Sequence, residues 1–105
     1  MVNAYYNAFG GSRQLCFTEL GYLSGQDFGG VPSRFSWAGG TSVGQHAQWL
    51  AEAVSMAANS GKARMAIIFN VDFTTWGEDP QAGYAMIRPD GSCPACETLK
   101  QVMGG

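Results

Sequence analysis

The stretch Thr41-Ser42-Val43-Gly44-Gln45-His46-Ala47-Gln48-Trp49-Leu50-Ala51-Glu52-Ala53-Val54-Ser55-Met56-Ala57-Ala58-Asn59-Ser60-Gly61 decides how this chain is read. Val43, Ala47, Leu50, Val54 and Ala57 recur at spacings of four, three, four and three, and Gln45, Gln48, Glu52, Ser55 and Asn59 keep the same rhythm on the opposite side. Side chains three and four apart share a helix face, so the spacing predicts an amphipathic helix over residues 42–60 with one face buried. Thr41 or Ser42 can cap its first turn, and Gly61 can take the left-handed conformation that ends it.

Working outward, each side of this helix carries a short apolar run. Upstream, Leu15-Cys16-Phe17-Thr18 reads as a strand with Glu19 directly after it. Downstream, Ala66-Ile67-Ile68-Phe69-Asn70-Val71 is nearly continuous in apolar residues, which predicts a strand covered on both faces, as in a parallel sheet. Strand, helix, strand in that order predicts a parallel pair near residues 14–18 and 66–71, joined by a right-handed crossover. Glycine-rich residues 20–40 and acidic residues 72–83 form two long loops, and both follow the strand ends that carry ligands in α/β proteins. Residues 1–12 read as the last turns of a helix stopped by Gly10-Gly11. Tyr84–Ile87 reads as a short added strand, Pro89-Asp90-Gly91 as a turn, and residues 94–103 as a closing helix.

Composition excludes several functions. A chain of 105 residues suffices for one domain, and 46% hydrophobic with 13% charged residues argues for a folded chain over a disordered one. The six Lys and Arg residues are scattered, so no basic stripe addresses nucleic acid. Met65 to Phe69, the longest apolar run, is too short to span a membrane, and the N-terminus lacks the basic start and apolar core of a signal peptide. Localisation is therefore left open, with secretion of a longer parent allowed. Three cysteines, an odd number, make a poor disulfide framework.

Four groups of residues are candidates for chemistry. Glu19, at a strand exit, places a carboxylate where a ligand would sit; its bland alternative is an exposed or paired surface acid. Tyr22, Phe28, Phe35, Trp37, Phe73, Trp76 and Tyr84 lie in or beside loops, where flat rings suit the C–H faces of sugars. Phe28 and Phe35 are expected to pack the loops down, and Trp76 is the better sugar platform. Asp72, Glu78 and Asp79 can accept hydrogen bonds from sugar hydroxyls, and no calcium-loop spacing accompanies them. Cys93-Pro94-Ala95-Cys96 could do redox work at a helix start, but no strand precedes it and no second pair exists for zinc. An inert thiol pair or a small local disulfide is expected. His46, the single histidine, lies on the flank of the amphipathic helix, where a cap or core-edge role is expected over catalysis.

Phe17-Thr18-Glu19-Leu20-Gly21 resembles the strand-seven motif of the clan of retaining glycoside hydrolases built on (β/α)8 barrels, which includes cellulases, mannanases and β-xylosidases. Ile68-Phe69-Asn70-Val71-Asp72-Phe73 resembles strand eight, and Gly83 to Gly91 the hairpin before the last helix. The resemblance covers residues 13 to 103. It implies an α/β fold that is a partial TIM barrel, the last two βα units (strands seven and eight with their helices), with residues 1–105 as one C-terminal fragment. It also implies hydrolysis of a β-linked oligo- or polysaccharide with retention and Glu19 as nucleophile; from their place in the loops after the strands, Tyr22, Trp37, Asp72 and Trp76 are the expected substrate-binding residues. Neither a cofactor nor a metal is called for. The clan's acid/base Glu follows an Asn, and no Asn-Glu pair occurs here. Phe69 stands near where the clan often has a Trp. Retention needs two carboxyls about 5–5.5 Å apart, so the chain alone is expected to be inactive. Carbohydrate is the expected ligand, with self-association or a missing N-terminal barrel portion as the further partner. A non-catalytic carbohydrate-binding or interaction fragment and a thiol oxidoreductase are the alternatives.

Overall fold

A computed structural model describes residues 2–104. Its elements are α1 (Val2–Ala8), β1 (Leu15–Leu20), α2 (Val43–Asn59), β2 (Ala63–Ile68) and α3 (Pro94–Val102), with 3₁₀ segments at Gln26–Phe28, Ser33–Ala38 and Gln81–Tyr84. The helix read from the periodicity is present. Ser42 caps it through a capping box: Ser42 Oγ accepts from the Gln45 amide at 3.0 Å, and Gln45 Oε1 accepts from the Ser42 amide at 2.9 Å. Gly61 follows the last turn at φ 70°. His46, Ala47, Leu50, Ala51 and Ala57 are its buried positions, while Val43 and Val54 of the expected stripe are only half-buried, so the buried face is turned toward His46 and Ala51.

β1 and β2 pair in parallel, with Leu15 opposite Ala63, Cys16 opposite Met65, Phe17 opposite Ala66 and Leu20 opposite Ile68. β2 begins three residues before the apolar run. Its first residues, Ala63 and Arg64, are recruited by β1 pairing, which the Leu15 amide starts by donating to the Lys62 carbonyl at 2.7 Å. Glu19 accordingly lies inside β1, one residue before its end. Tyr84–Ile87 is not a strand. A 3₁₀ turn runs to Tyr84, and only isolated bonds follow, with Met86 and Ile87 amides donating to the carbonyls of Asn70 and Val71.

The partial-barrel expectation fails. The described residues make a small α/β domain with one open sheet of two strands, not strands seven and eight of a TIM barrel with their helices. A barrel stave is covered on both faces and paired on both edges. Here Met65 and Ile67 stand 46% and 47% exposed, which also overturns the strand covered on both faces. The buried core lies between two helices: Ala47 and Leu50 of α2 meet Ala95 of α3, with Tyr22, Ile68 and Met86 around them. Thr98 Oγ1 donates to the Ala47 carbonyl at 2.6 Å and ties the two helices together.

The long loops are fixed by one side chain. Arg88, 3% exposed, donates from Nε and Nη2 to the two carboxylate oxygens of Asp27 at 2.8 and 2.6 Å. Its Nη1 donates to the carbonyls of Gly83 and Ala85, and Nη2 also to that of Ser24. The fork–fork pair with the carboxylate fixes orientation as well as charge. Phe28 lies against the guanidinium at 5.7 Å and stacks on Trp76, centroids 4.0 Å apart. Lysine cannot form this fork, and an apolar side chain would take this partner from the carbonyls of Ser24 and Ala85 and from the Asp27 carboxylate, while the Gly83 carbonyl would keep only the Ser24 amide. Arg88→Lys and Arg88→Met are each expected to lower stability by at least about 2 kcal/mol. A urea midpoint for Arg88→Lys equal to that of the wild type would contradict this account.

Candidate functional site

β1 ends by passing close to the exit of β2. A Cβ on Gly21 would lie 2.2 Å from the Phe69 carbonyl oxygen, so only glycine permits the approach. Phe69 donates its amide to the Leu20 carbonyl at 2.8 Å, and the next residue, Asn70, is 5% exposed. Asn70 Nδ2 donates to the Gln81 carbonyl at 2.9 Å, and its Oδ1 accepts from the Phe73 amide at 3.1 Å. One buried amide thus pins both ends of the 72–80 loop to the end of β2.

These constraints shape a groove of about 320 Å³ lined by Glu19, Gly21, Phe35, Phe69, Asp79, Pro80, Gln81 and Tyr84. Glu19 enters it from β1, Phe35 from the 3₁₀ segment Ser33–Ala38, and Gln81 and Tyr84 from the turn after Pro80. Phe69 and Tyr84 meet edge to face, centroids 5.7 Å apart at 66°. Asp79 Oδ2 accepts from Gln81 Nε2 at 2.8 Å, which orients the carboxylate as an acceptor. Burial pushes the Tyr84 phenol above its ordinary value, and the Asp79 charge adds to the shift. Tyr84 therefore stays protonated at neutral pH, a donor at one end and an apolar ring at the other.

Of the residues singled out from sequence, Glu19 lines this groove and Tyr22, Trp37, Asp72 and Trp76 are not among its lining. Tyr22 turns to the other side of β1, edge-on to Trp49 at 5.7 Å. Trp37, 70% exposed, leans on Phe35 at 6.2 Å, one ring removed from the groove. Asp72 is exposed. Trp76 is a packing residue: it stacks on Phe28 and stands 2.9 Å from where a Gly83 Cβ would be. Phe35, expected as filler, is a wall instead. Asp79 was one of three equivalent acids in the sequence. No local pattern in the sequence set it apart from Asp72 and Glu78; its partner Gln81 orients it.

The remaining candidates are structural. Cys93 and Cys96 form a disulfide, one of the two states that the sequence left open. His46 is 1% exposed, and its Nε2–H donates to the Tyr84 carbonyl at 3.2 Å. Burial holds the imidazole below its ordinary value, the Tyr84 carbonyl opposes this, and the Arg88 charge adds to the lowering. Asp27 is held below the usual carboxylate range first by its hydrogen bonds to Arg88. Among the described residues no group of three His, Cys, Asp or Glu could hold a metal ion, and no helix is long and apolar enough to cross a membrane.

No model of a known protein family matches the chain, nor does any curated protein or solved structure.

His46 makes stability depend on pH in a stated direction. Its folded value lies below the unfolded 6.5, so the unfolded chain takes up the proton first. The stabilisation is complete above pH 6.5 and declines as pH falls toward the depressed folded value, by up to about 1.4 kcal/mol per pH unit for one group. Asp27, whose folded value lies below 3.8, adds its own loss only in stronger acid. Thermal melts between pH 7.5 and 5 should show a falling Tm in the wild type and a flatter profile in His46→Gln, where a neutral amide replaces the imidazole donor. Parallel profiles for the two proteins would remove His46 as the cause.

Proposed function

We propose that the groove at Glu19 binds a β-linked oligo- or polysaccharide, and that Glu19 is the carboxylate facing the anomeric carbon, as in a retaining glycoside hydrolase. The observation that carries this reading is the shared groove: Glu19 and Asp79 line it together with the rings of Phe35, Phe69 and Tyr84. Flat rings match the C–H faces of pyranosides, while carboxylates, the Gln81 amide and the Tyr84 hydroxyl match their equatorial hydroxyls. A nucleophilic carboxylate held on a strand has the fixed geometry that displacement at an anomeric carbon requires.

Retention also needs a second carboxyl to protonate the leaving oxygen. Asp79, oriented as an acceptor by Gln81, is assigned to sugar hydroxyls. On this reading the chain alone binds saccharide, and Glu19 can displace a leaving group that departs without protonation, giving a covalent glycosyl ester and a free phenolate. The non-catalytic binding alternative differs in that no such ester forms.

Two measurements separate the outcomes. Titration with β-linked oligosaccharides should perturb NMR signals of Glu19, Phe69 and Tyr84, and Tyr84→Ala should weaken binding by roughly tenfold, the loss of one stacking ring. A 2-fluoro dinitrophenyl β-glycoside should label Glu19, detected by mass, with no label in Glu19→Gln. Binding without a label would reduce the proposal to carbohydrate recognition. Neither binding nor label across a panel of β-linked sugars would remove it altogether.

A further inference from the structure

A cavity larger than the groove at Glu19 lies between β1 and α2, an open cleft of about 610 Å³. Phe17 of β1, Tyr22 beyond it, and Trp49 and Met56 of α2 supply its apolar walls. The three rings are each only half-buried, and Met56 stands 73% exposed. Most of the polar lining is already engaged. Asn3 Oδ1 accepts from the Lys62 amino group, which also faces the Tyr6 ring. Ser60 Oγ donates to the Ala57 carbonyl at 2.7 Å and accepts from the Lys62 amide at 3.0 Å. Glu52 differs. Gln48 Nε2, one turn earlier, donates to its Oε1 at 3.0 Å and orients the carboxylate, and Oε2 has no partner among the described residues. Glu52 stands at the rim, since it also lines a smaller groove toward α3 with Thr98 and Val102.

We propose that this cleft binds a small organic cation, its aryl or alkyl body against Phe17, Trp49 and Met56 and its ammonium group at Glu52. Charge complementarity identifies the occupant. Glu52 is the single charged side chain of the lining, and no lysine or arginine among the described residues joins it. An anionic amphiphile would meet that carboxylate, and a neutral one would desolvate it without a partner. A sugar would find its other polar contacts, Asn3 and Ser60, already spent within the chain. Trp49 lies three residues before Glu52 on α2, the spacing at which helical side chains are neighbours, so one ammonium can meet the carboxylate and the indole together. Met56 supplies an adaptable wall for bodies of different shape. The volume falls within the about 300–1,000 Å³ of small-molecule sites. This site is separate from the groove at Glu19, and Tyr22, which that groove does not use, belongs to it.

Three probes of one shape and different charge test this: 4-phenylbutylamine, 4-phenylbutanol and 4-phenylbutyrate, each titrated into the full chain labelled with nitrogen-15. The amine should bind with a Kd at least about tenfold below that of the alcohol, with the carboxylate weakest, and should shift the Trp49 indole and the Tyr22 amide. Glu52→Gln alters an exposed side chain, so far-UV circular dichroism should not change. It should raise the Kd of the amine to that of the alcohol and leave the alcohol where it was. Trp49→Leu should weaken the amine and the alcohol alike by about tenfold, the loss of the ring. Equal affinities for the three probes overturn the proposal, as does an amine preference that survives Glu52→Gln. Shifts at Thr98 and Val102 in place of Trp49, or no binding of any probe, overturn it as well.

Discussion

The guanidinium of Arg88 is the interaction on which the rest depends. It spends its hydrogens on Asp27 and on the carbonyls of Ser24, Gly83 and Ala85, and so joins the loop after β1 to the segment after β2. Without it, two stretches poor in regular structure would carry buried backbone groups with no partner, each costing about 1–3 kcal/mol. Ser24 completes the junction: its amide donates to Gly83 and its hydroxyl to the Thr41 carbonyl, which reaches the start of α2. His46 on α2 then holds the Tyr84 carbonyl. The polar framework therefore runs from both loops to the central helix and fixes the wall of the groove that contains Tyr84.

The groove itself follows from close backbone approach more than from side-chain recruitment. Gly21 lets the chain leaving β1 press against the Phe69 carbonyl, and Asn70 turns the chain leaving β2 by satisfying Gln81 and Phe73 at once. Glu19 and Asp79 share the opening because strand exits in a parallel pair are neighbours, and because Asn70 holds the Gln81 carbonyl and so brings the end of the loop back to β2. Rigidity here comes from buried polar bonds. The hydrophobic core lies elsewhere, between α2 and α3, with Ile68, Met86 and Tyr22 packed against it. Substitutions in the helix interface and in the groove should thus act nearly independently.

The sequence by itself determined the helix over 42–60, its Ser42 cap and Gly61 stop, the parallel sense of the two strands, and the place of Glu19 near a strand exit. Local periodicity and connection rules carry those, since they require no knowledge of what lies across the chain. The nearness of Cys93 and Cys96 at a helix start was legible for the same reason, but not that they are bridged. Tertiary structure alone decided the rest. An apolar run such as Ala66 to Val71 reads alike whether one face is covered or two; the exposed Met65 and Ile67 decide for one and, with only two strands paired, against the partial barrel. Which aromatic walls the groove and which fills a loop was settled by packing: Phe35 and Trp76 exchanged their expected parts because Phe28 and Arg88 give Trp76 a stacking partner and an anchored surface. Arg88 stood in the sequence as one scattered cation among six, and only the fold brings a carboxylate 61 residues away within 2.6 Å of it. Pairing at that separation depends on loop conformation, which no local pattern of residues encodes.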